Sequence, residues 1–303
     1  MGEPQRECVI ARPDPRGPRE RCKIGEMKVK EALELAQEKL SDVREAHYLL
    51  SSFLRRDLSF LYAHPEEELE GSPAELLRWI EMRSRGVPLA YLSHLKEFYG
   101  RQFYLDHRVL IPRPETEILI EEAISLEREL RRGNKGGKGL TFLDLGTGSG
   151  CLAVTLALEF EEAEVLASDI SPEALEVARI NAGLHEVQDR VTLLQGDLFS
   201  PLRKPVDAIL ANLPYVPESF VKERPELAHE PPSSLIGGES GAETVSRMLE
   251  VAPRWLKTPG FLLAEIGEGE EELLEKAREA FPDASVSLIY DLQGLPRVLK
   301  IKK

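Results

Sequence analysis

From residue 140 to the end of the chain, segments with strand character alternate with segments with helix character. Short apolar runs indicate buried strands, and each is followed by apolar residues at helical spacing. Alternating strands and helices build a mostly parallel sheet covered on both faces, so we expect ligands outside the carboxyl ends of the strands. The predicted strands are residues 141–145, 164–168, 191–195, 206–210 and 261–266, and the predicted helices are residues 149–160, 172–181, 242–256 and 270–281.

The last two predicted strands depart from this alternation. Residues 286–290 and 298–301 leave no room for a helix between them, so we expect them to pair as an antiparallel hairpin. The fold class is therefore α/β, Rossmann-like, with a mostly parallel seven-stranded sheet that ends in an antiparallel hairpin.

The first strand of this sheet runs into a glycine-rich turn, FLDLGTGSG. Its glycines let the backbone turn tightly and approach a ligand at the start of the next helix. Such a turn alone could also serve a dinucleotide. Two details favour S-adenosylmethionine. An acid inside the turn can accept from the ammonium group of the donor. The three glycines are also spaced more closely than in GxGxxG, which leaves less room for the pyrophosphate of a dinucleotide. The predicted cofactor residues here are Asp144, Gly146, Thr147, Gly148, Ser149 and Gly150.

Acidic residues also end the second and third strands. Asp169 is placed to accept from both ribose hydroxyls, although it could instead cap the next helix, for which Ser171 is the better candidate. Asp197 could accept from the adenine amino group or lie in a surface turn, with Leu198 as a wall of the adenine pocket. Three successive strand ends thus predict contacts to one elongated ligand.

The fourth strand ends in Asn212, Leu213, Pro214 and Tyr215. The Asn212 side-chain oxygen and the Leu213 backbone carbonyl could each accept one N–H of a planar NH2 group and so fix its nitrogen toward a methyl donor. Pro214 stiffens the loop, and Tyr215 can pack on the planar group. We therefore predict that this loop holds the methyl acceptor, although a buried polar turn is the alternative for Asn212 alone.

The segment before the sheet predicts three further parts. Residues 1–26, rich in Pro, Arg and Glu, predict a disordered extension. Helical spacing over residues 27–95 predicts a small helical domain that docks a partner or serves as a lid, and residues 96–112 predict a β-hairpin linker. The remainder, residues 113–303, forms the catalytic domain, and its PRPET segment by pattern alone is a rigid helix entry.

Composition limits the function classes. The net charge of -14 argues against a surface built for nucleic acid. Neither the three scattered cysteines nor the six histidines form a metal-binding pattern, and Cys151 is expected to be a buried packing residue. No apolar run is long enough to span a membrane, so we expect a protein that binds no membrane. We also expect it to be cytoplasmic and monomeric and to bind no metal.

A series of short motifs completes the picture. They are GVPLAYL (86–92), EFYG (97–100), VLIPRPETE (109–117), DLGTGSG (144–150), GDLF (196–199), ANLPY (211–215), HEP (229–231), GGESG (237–241) and EIG (265–267), with Asp169, Gly294 and Arg297. Together they closely resemble the HemK family, the release factor glutamine methyltransferases. The resemblance covers nearly everything from residue 28 to the end.

The resemblance implies a class I S-adenosylmethionine-dependent methyltransferase fold. It implies methyl transfer to the side-chain amide nitrogen (N5) of the glutamine in the GGQ motif of class 1 peptide chain release factors, which modulates translation termination and yields S-adenosylhomocysteine. It also implies that the helical domain docks the release factor. The PRPET segment then becomes a wall of the substrate site, formed by Pro112, Arg113, Pro114, Glu115 and Thr116, and Asn212 lines the cofactor site as well as holding the glutamine.

Leu213 departs from the family pattern, which has proline at that position. The carbonyl stays available, but the loop loses one rigid φ. Asn-Leu-Pro-Tyr also resembles the motif of ribosomal RNA adenine dimethyltransferases. This likeness makes adenine N6-methylation of RNA or DNA one alternative. Two others are glutamine methylation of a ribosomal protein and a protein that binds S-adenosylmethionine without turnover.

Overall fold

The computed structural model describes residues 27–40, 42–133, 139–267 and 272–303. The expected extension at residues 1–26 lies outside the described residues. The chain divides into two compact units, one ending at Arg85 and one comprising Gly86–Lys303. Among the described residues, no helix is both long enough and apolar enough to span a membrane.

The first unit is helical, as the sequence predicts. Asp42 and Asp57 cap two of its helices by accepting from the backbone N–H groups of Arg44 and Phe60. Trp79 packs edge-on against Phe53, 5.3 Å between ring centroids, inside the unit. The helices are α1 (Val29–Lys39), α2 (Val43–Leu54), α3 (Leu58–Ala63) and α4 (Pro73–Ser84).

The second unit begins with α5 (Leu89–Ser93) and a hairpin of β1 (Leu95–Phe98) and β2 (Arg101–Tyr104). Tyr99 and Gly100 both have positive φ, as a two-residue hairpin turn with the right twist requires. The predicted hairpin continued to residue 112, which is wrong. Beyond Tyr104 the chain leaves the hairpin, because the Asn181 amide takes both the N–H and the carbonyl of Tyr104.

The rest of the second unit is an α/β sheet with helices on both faces. Its further strands are β3 (Thr141–Leu145), β4 (Glu164–Asp169), β5 (Val191–Gln195), β6 (Val206–Ala211), β7 (Val216–Pro217), β8 (Ile236–Gly238), β9 (Leu256–Glu265), β10 (Ser285–Tyr290) and β11 (Pro296–Lys302). Its further helices are α6 (Glu117–Gly133), α7 (Cys151–Glu159), α8 (Pro172–Leu184), α9 (Glu218–Lys222), α10 (Pro232–Leu235), α11 (Glu243–Val251) and α12 (Glu272–Ala280).

The main sheet has seven strands in the order β10-β11-β9-β6-β3-β4-β5. The strands from β9 to β5 pair in parallel, and β11 pairs antiparallel with both β9 and β10. The predicted fold class, including the antiparallel hairpin, is therefore confirmed. Two apolar clusters pack on its two faces, one around Phe142 and one around Leu143, because successive strand residues point to opposite sides.

Two predicted boundaries are wrong. The helix expected over residues 242–256 ends at Val251 and is followed by a 3-10 turn, Ala252–Arg254, because Pro253 has no N–H to continue it. The strand expected from residue 261 already begins at Leu256. A further segment, residues 216–238, contains β7, α9, α10 and β8 and was not predicted; we refer to it as the insertion.

Candidate active site

A cavity of about 310 Å³ lies at the carboxyl ends of β3, β4, β5 and β6. Parts of all four strand ends reach it, where the topology of a parallel sheet places a ligand. The predicted site residues that line it are Pro112, Thr116, Gly146, Thr147, Gly148, Ser149, Asp169, Asp197, Leu198, Asn212, Leu213 and Pro214. The predicted residues that do not line it are Arg113, Pro114, Glu115, Asp144, Gly150 and Tyr215.

The glycine turn, Gly146–Gly150, fits closely against the loop that follows β6. A side chain on Gly146 (φ +76°) would place its Cβ 2.8 Å from Leu213 Cδ2. Gly148 (φ +53°) faces open space instead, since a Cβ there would meet nothing within 4 Å. The turn therefore uses one glycine for packing against Leu213 and another for the conformation alone.

Asp144 was predicted to reach the cofactor, but it does not line the cavity. The residue is fully buried, and its Oδ2 accepts from Thr147 Oγ1 at 2.6 Å and from the Ala153 N–H at 3.0 Å. Burial raises the pKa of this carboxyl group to about 7. The acid thus ties the glycine turn to α7 from behind. Sequence reasoning failed here because a strand buried on both faces gives no alternation that would show which way Asp144 points.

Gly150 is also displaced from its predicted role. It precedes α7 with φ +79°, and a Cβ there would lie 3.0 Å from Ala178 Cα. Its part is to allow the close approach of α7 to α8, so it shapes the site without lining it.

The acids at the next two strand ends line the cavity and are also held by the protein. Asp169 accepts from the N–H groups of Gly148 at 2.8 Å and Ser171 at 2.9 Å. Its pKa is raised, chiefly by burial. Ser171 caps α8 by accepting from the Ala174 N–H, as predicted. Because each carboxylate oxygen has more than one lone pair, Asp169 can still accept from a ligand.

Asp197 faces a partner that the sequence did not reveal. It forms an ion pair with Arg247 of α11 at 2.5 Å, and both side chains are about half exposed. Both residues line the cavity, as does Leu198, which adopts φ +47°. Any ligand contact to the Asp197 carboxylate therefore competes with or adds to this pair.

The loop Asn212–Tyr215, which we refer to as the target loop, is fixed to the PRPET segment. Asn212 Nδ2 donates to Thr116 Oγ1 at 3.0 Å. Among the described residues, none donates a hydrogen bond to Asn212 Oδ1 or to the Leu213 carbonyl. The Leu213 side chain is 5% exposed and packs in the apolar core. The loop therefore keeps two oxygen acceptors available at the cavity.

Tyr215 has a different environment from the one predicted. Its hydroxyl donates to Glu265 Oε1 at 3.0 Å. Burial, followed by the nearby Glu265 carboxylate, raises the pKa of the phenol. This hydrogen bond holds the Tyr215 side chain at the end of the target loop, and Tyr215 does not line the cavity.

The insertion forms part of the cavity wall. Glu230, 5% exposed, accepts from the Ile111 N–H at 3.0 Å and from the Arg113 guanidinium at 2.5 Å. This explains why Arg113 does not line the cavity: its charge is used to hold the insertion. Pro231, Ser233, Ser234 and Ile236 of the insertion then line it.

Four residues at the site were not found by reasoning from residue patterns. Asn181 holds the hairpin and the Ser149 carbonyl, Arg247 pairs with Asp197, and Glu230 and Glu265 anchor loops. Glu230 and Glu265 lie in the HEP and EIG motifs, which entered only through the family resemblance.

The Cys151 thiol lines the cavity but is almost fully buried, and burial raises its pKa to about 12. A thiol in that state is a packing group, as the sequence indicated.

The arrangement fits a methyl donor with a sugar and a base. Asp169 offers carboxylate oxygens, and Ser168 Oγ is buried beside the cavity with no hydrogen-bond partner among the described residues. Open space lies over Gly148. Together with the sheet order, these features define a methyltransferase domain of the S-adenosylmethionine-dependent class.

Comparison with known proteins narrows this class. A family model described as a methyltransferase domain matches residues 137–289, and one described as the PrmC N-terminal domain matches residues 29–93. The chain is 35% identical over 290 residues to the release factor glutamine methyltransferase of Bacillus cereus, covering 90% of this chain and 98% of that protein. It is 38% identical over 265 residues to that of Koribacter versatilis, covering 85% and 90%.

The chain therefore belongs to the release factor glutamine methyltransferase family, and the predicted resemblance is confirmed. Among solved structures, it is similar to the hMettl16 catalytic domain in complex with the MAT2A 3′UTR hairpin 6, with a TM-score of 0.53 and 14% identity over 71% of this chain and 80% of that one. That likeness shows the fold alone.

Proposed function

We propose that this enzyme transfers a methyl group from S-adenosylmethionine to the side-chain amide nitrogen (N5) of the glutamine in the GGQ motif of class 1 peptide chain release factors. The observation that carries the proposal is the pair of available acceptors on the target loop, Asn212 Oδ1 and the Leu213 carbonyl, at the wall of a cavity formed by the strand ends. Family membership supports the choice of substrate.

The cofactor residues are assigned from the cavity wall. Asp169 accepts from the ribose hydroxyls, Leu198 packs on the adenine, and Thr147 to Ser149 border the rest of the donor. Bound there, S-adenosylmethionine supplies an electrophilic methyl group and leaves as S-adenosylhomocysteine. Asp144 and Gly150 support this wall from behind and touch no part of the donor.

The target loop orients the acceptor. An amide nitrogen is a weak nucleophile because its lone pair is delocalised into the carbonyl. Two acceptors placed on its two N–H groups fix the plane of the amide and so direct its nitrogen along one line of approach. They also stabilise the positive charge that develops on the NH2 group during transfer. The departing proton then passes to water, and the mechanism needs no nucleophilic side chain.

The Leu213 substitution is compatible with this role. The backbone carbonyl at that position exists whichever side chain is present, and the leucine side chain is anchored over Gly146. Packing against the glycine turn replaces the restriction of φ that proline would supply.

The helical unit is assigned to docking of the release factor. Its surface carries large exposed apolar side chains, of which Tyr62 is 70% exposed. Exposed aromatic residues are typical of protein interfaces, and a half-exposed Tyr48 adds a second on the same unit. On this assignment Tyr62→Ala raises KM for the release factor and leaves kcat unchanged.

Mass spectrometry tests the proposed reaction. A purified class 1 release factor is incubated with the enzyme and S-adenosylmethionine, beside a release factor in which the GGQ glutamine is replaced by alanine. One added methyl group on the GGQ glutamine of the first protein and none on the second is the expected result.

A parallel incubation with ribosomal RNA addresses the adenine alternative, which the Asn-Leu-Pro-Tyr sequence motivates. Methyladenine in the RNA, with no methyl on the release factor, would replace the proposal. A methylated glutamine in a ribosomal protein and none in the release factor would keep the chemistry but change the substrate.

A further inference from the structure

Polar side chains behind the target loop lie around one buried acid, Glu265, which is hydrogen-bonded to Tyr215 at one end of the loop. Glu265 is the last residue of β9, and the register pairs Ala264 with Ala211, the residue before Asn212. Because the two strands are parallel, Glu265 lies beside the start of the target loop. It is 2% exposed and does not line the cavity, so it has no direct part in the proposed reaction.

Glu265 is hydrogen-bonded to one end of the loop and lies close to Thr116, which holds the other end. Its Oε1 accepts from the Tyr215 hydroxyl at 3.0 Å. Burial raises the pKa of Glu265, and the hydroxyls of Thr116 and then Tyr215 are the strongest influences that oppose this rise. Oε2 is buried with no hydrogen-bond partner among the described residues, which leaves an acceptor for the Thr116 hydroxyl proton. Thr116 in turn accepts from Asn212 Nδ2 at 3.0 Å.

We propose that Glu265 is a positioning residue that sets which face of the Asn212 amide is presented to the methyl acceptor. An ionised carboxylate accepts hydrogen bonds and donates none. While Glu265 is ionised, the Thr116 hydroxyl can only donate to it, which leaves the Thr116 oxygen to accept from Asn212 Nδ2. With Nδ2 held, Oδ1 is the group that faces the cavity.

The alternative orientation would prevent productive binding. If the Asn212 amide rotated by half a turn, its NH2 group would meet the NH2 group of the substrate, donor against donor. Burying two donors without acceptors is unfavourable by roughly the cost of an unmade hydrogen bond for each. A directional chain from Glu265 through Thr116 excludes this state. The inference rests on the proposed function, because it needs an amide substrate at Asn212.

Glu265→Gln tests the inference, since glutamine keeps the size of the side chain but adds a donor. The side-chain NH2 group of the variant competes with Asn212 Nδ2 for Thr116 Oγ1. We expect kcat/KM on the release factor to fall by about a hundredfold, while the donor dissociation constant changes less than about threefold. The matched control is Asp207→Asn, another carboxylate of the same sheet, which holds the Thr141 N–H and Lys257 far along β6.

The pH profile separates positioning from support of the fold. Glu115, Arg297 and Tyr215 are the charged and titratable groups that face Glu265. Because burial raises the pKa of Glu265, lowering the pH protonates it and reverses its polarity. In the wild type, kcat/KM then falls on the acid side with this group, and in Glu265→Gln the same acid limb is absent.

A second pair of variants tests the proposal even if Glu265→Gln does not fold. Thr116→Val breaks the chain without touching the acid, and Thr116→Ser restores the hydroxyl. The valine variant is expected to lose kcat/KM like Glu265→Gln, and the serine variant to recover most of it. Unchanged kcat/KM in Thr116→Val and Glu265→Gln, or a loss that merely follows the melting temperature as in Asp207→Asn, would overturn the proposal.

A measurement without turnover keeps the inference separate from the identity of the substrate. With asparagine labelled by ¹⁵N and S-adenosylhomocysteine added, the Asn212 side-chain signal is assigned by its loss in Asn212→Ala. We expect that signal to move in Glu265→Gln and to stay in Asp207→Asn. If the wild type methylates no release factor, the proposed function fails, and this signal alone decides on Glu265: an unmoved signal refutes the role.

Discussion

The two walls of the cavity use their polar groups in opposite ways. On the glycine-turn side, Asp169 is hydrogen-bonded to the protein and Asp197 is paired with Arg247, while Asp144 holds the turn from behind. On the target-loop side, the NH2 group of Asn212 donates to Thr116, and its side-chain oxygen stays available as an acceptor. The first wall is therefore built before any ligand arrives, whereas the second keeps the acceptors that the reaction requires. The wall proposed to bind the donor and the acceptors proposed to bind the substrate therefore lie at different strand ends of one sheet.

The largest expected effect is at Asn212. We expect Asn212→Ala to lower the single-turnover methylation rate by about a thousandfold or more, while the donor dissociation constant stays within about tenfold, because orientation is lost and the donor wall is intact. Rapid-quench kinetics and calorimetry measure the two quantities. Weakened donor binding with a normal rate at saturation would show that Asn212 holds the donor and does not orient the acceptor.

The next effect concerns the contact between the walls. Gly146→Ala and Gly148→Ala both place a side chain at positive φ, but only the first meets Leu213. We expect turnover to be about tenfold lower in Gly146→Ala than in Gly148→Ala, because overpacking displaces the target loop. The ratio of the two kcat values measures this.

Leu213→Ala supplies the control for that pair. In the Gly146→Ala background it makes room for the added methyl group and should recover most of the difference. Equal activities of the two single variants would show that Leu213 does not transmit strain to the target loop.

The third effect is a pH dependence of stability. Burial raises the pKa of Asp144 from 3.8 to about 7, so its contribution is full below the unfolded pKa and is lost as the pH rises through about 7. Between about pH 4 and pH 8, Asp144→Asn should gain on the order of 4 kcal/mol in free energy of unfolding relative to the wild type. Denaturant titrations at both pH values give this difference.

Asp106 provides a comparison of opposite sign. Burial raises its pKa, but the hydrogen bonds from Arg108 outweigh burial and leave the pKa lowered. Its contribution is present above the unfolded pKa and is lost only as the pH falls through the lowered value. The cost of Asp106→Asn should therefore stay constant over the same window. If the free energy of unfolding relative to the wild type changed with pH in the same way in both variants, Asp144 would not be the cause of the pH dependence.

The smallest effect is at Arg247. Its ion pair with Asp197 is about half exposed, so solvent screens it. We expect Arg247→Ala to change the donor dissociation constant by less than about fivefold, as calorimetry can show. A change of a hundredfold would mean that Arg247 belongs to the donor site itself.

The sequence predicted the parts of the site that follow from strand order. Strand ends in a parallel sheet meet at one edge, so the glycine turn, Asp169, Leu198 and Asn212 could be placed together from spacing and strand ends. The direction of a side chain on a strand buried on both faces could not be predicted, which is why Asp144 was assigned to the wrong side.

Contacts between distant segments were also beyond prediction. Glu230 binds Ile111 and Arg113, and Asn181 binds Tyr104, across separations of more than seventy residues. No local pattern encodes such a pair, because each residue alone is an ordinary polar side chain. The early start of β9 was missed because Pro259 usually ends or borders a strand.

One thermodynamic cycle tests the division between the walls most directly. It measures the affinity of the S-adenosylhomocysteine-saturated enzyme for a release factor with GGQ and for one with GGE, in the wild type and in Asn212→Ala. The GGE carboxylate has no N–H group to give to two acceptors, so the wild type should prefer GGQ by about tenfold or more, and Asn212→Ala should lose most of that preference. Equal affinities in the wild type, or a preference that survives in Asn212→Ala, would contradict the assignment of the target loop.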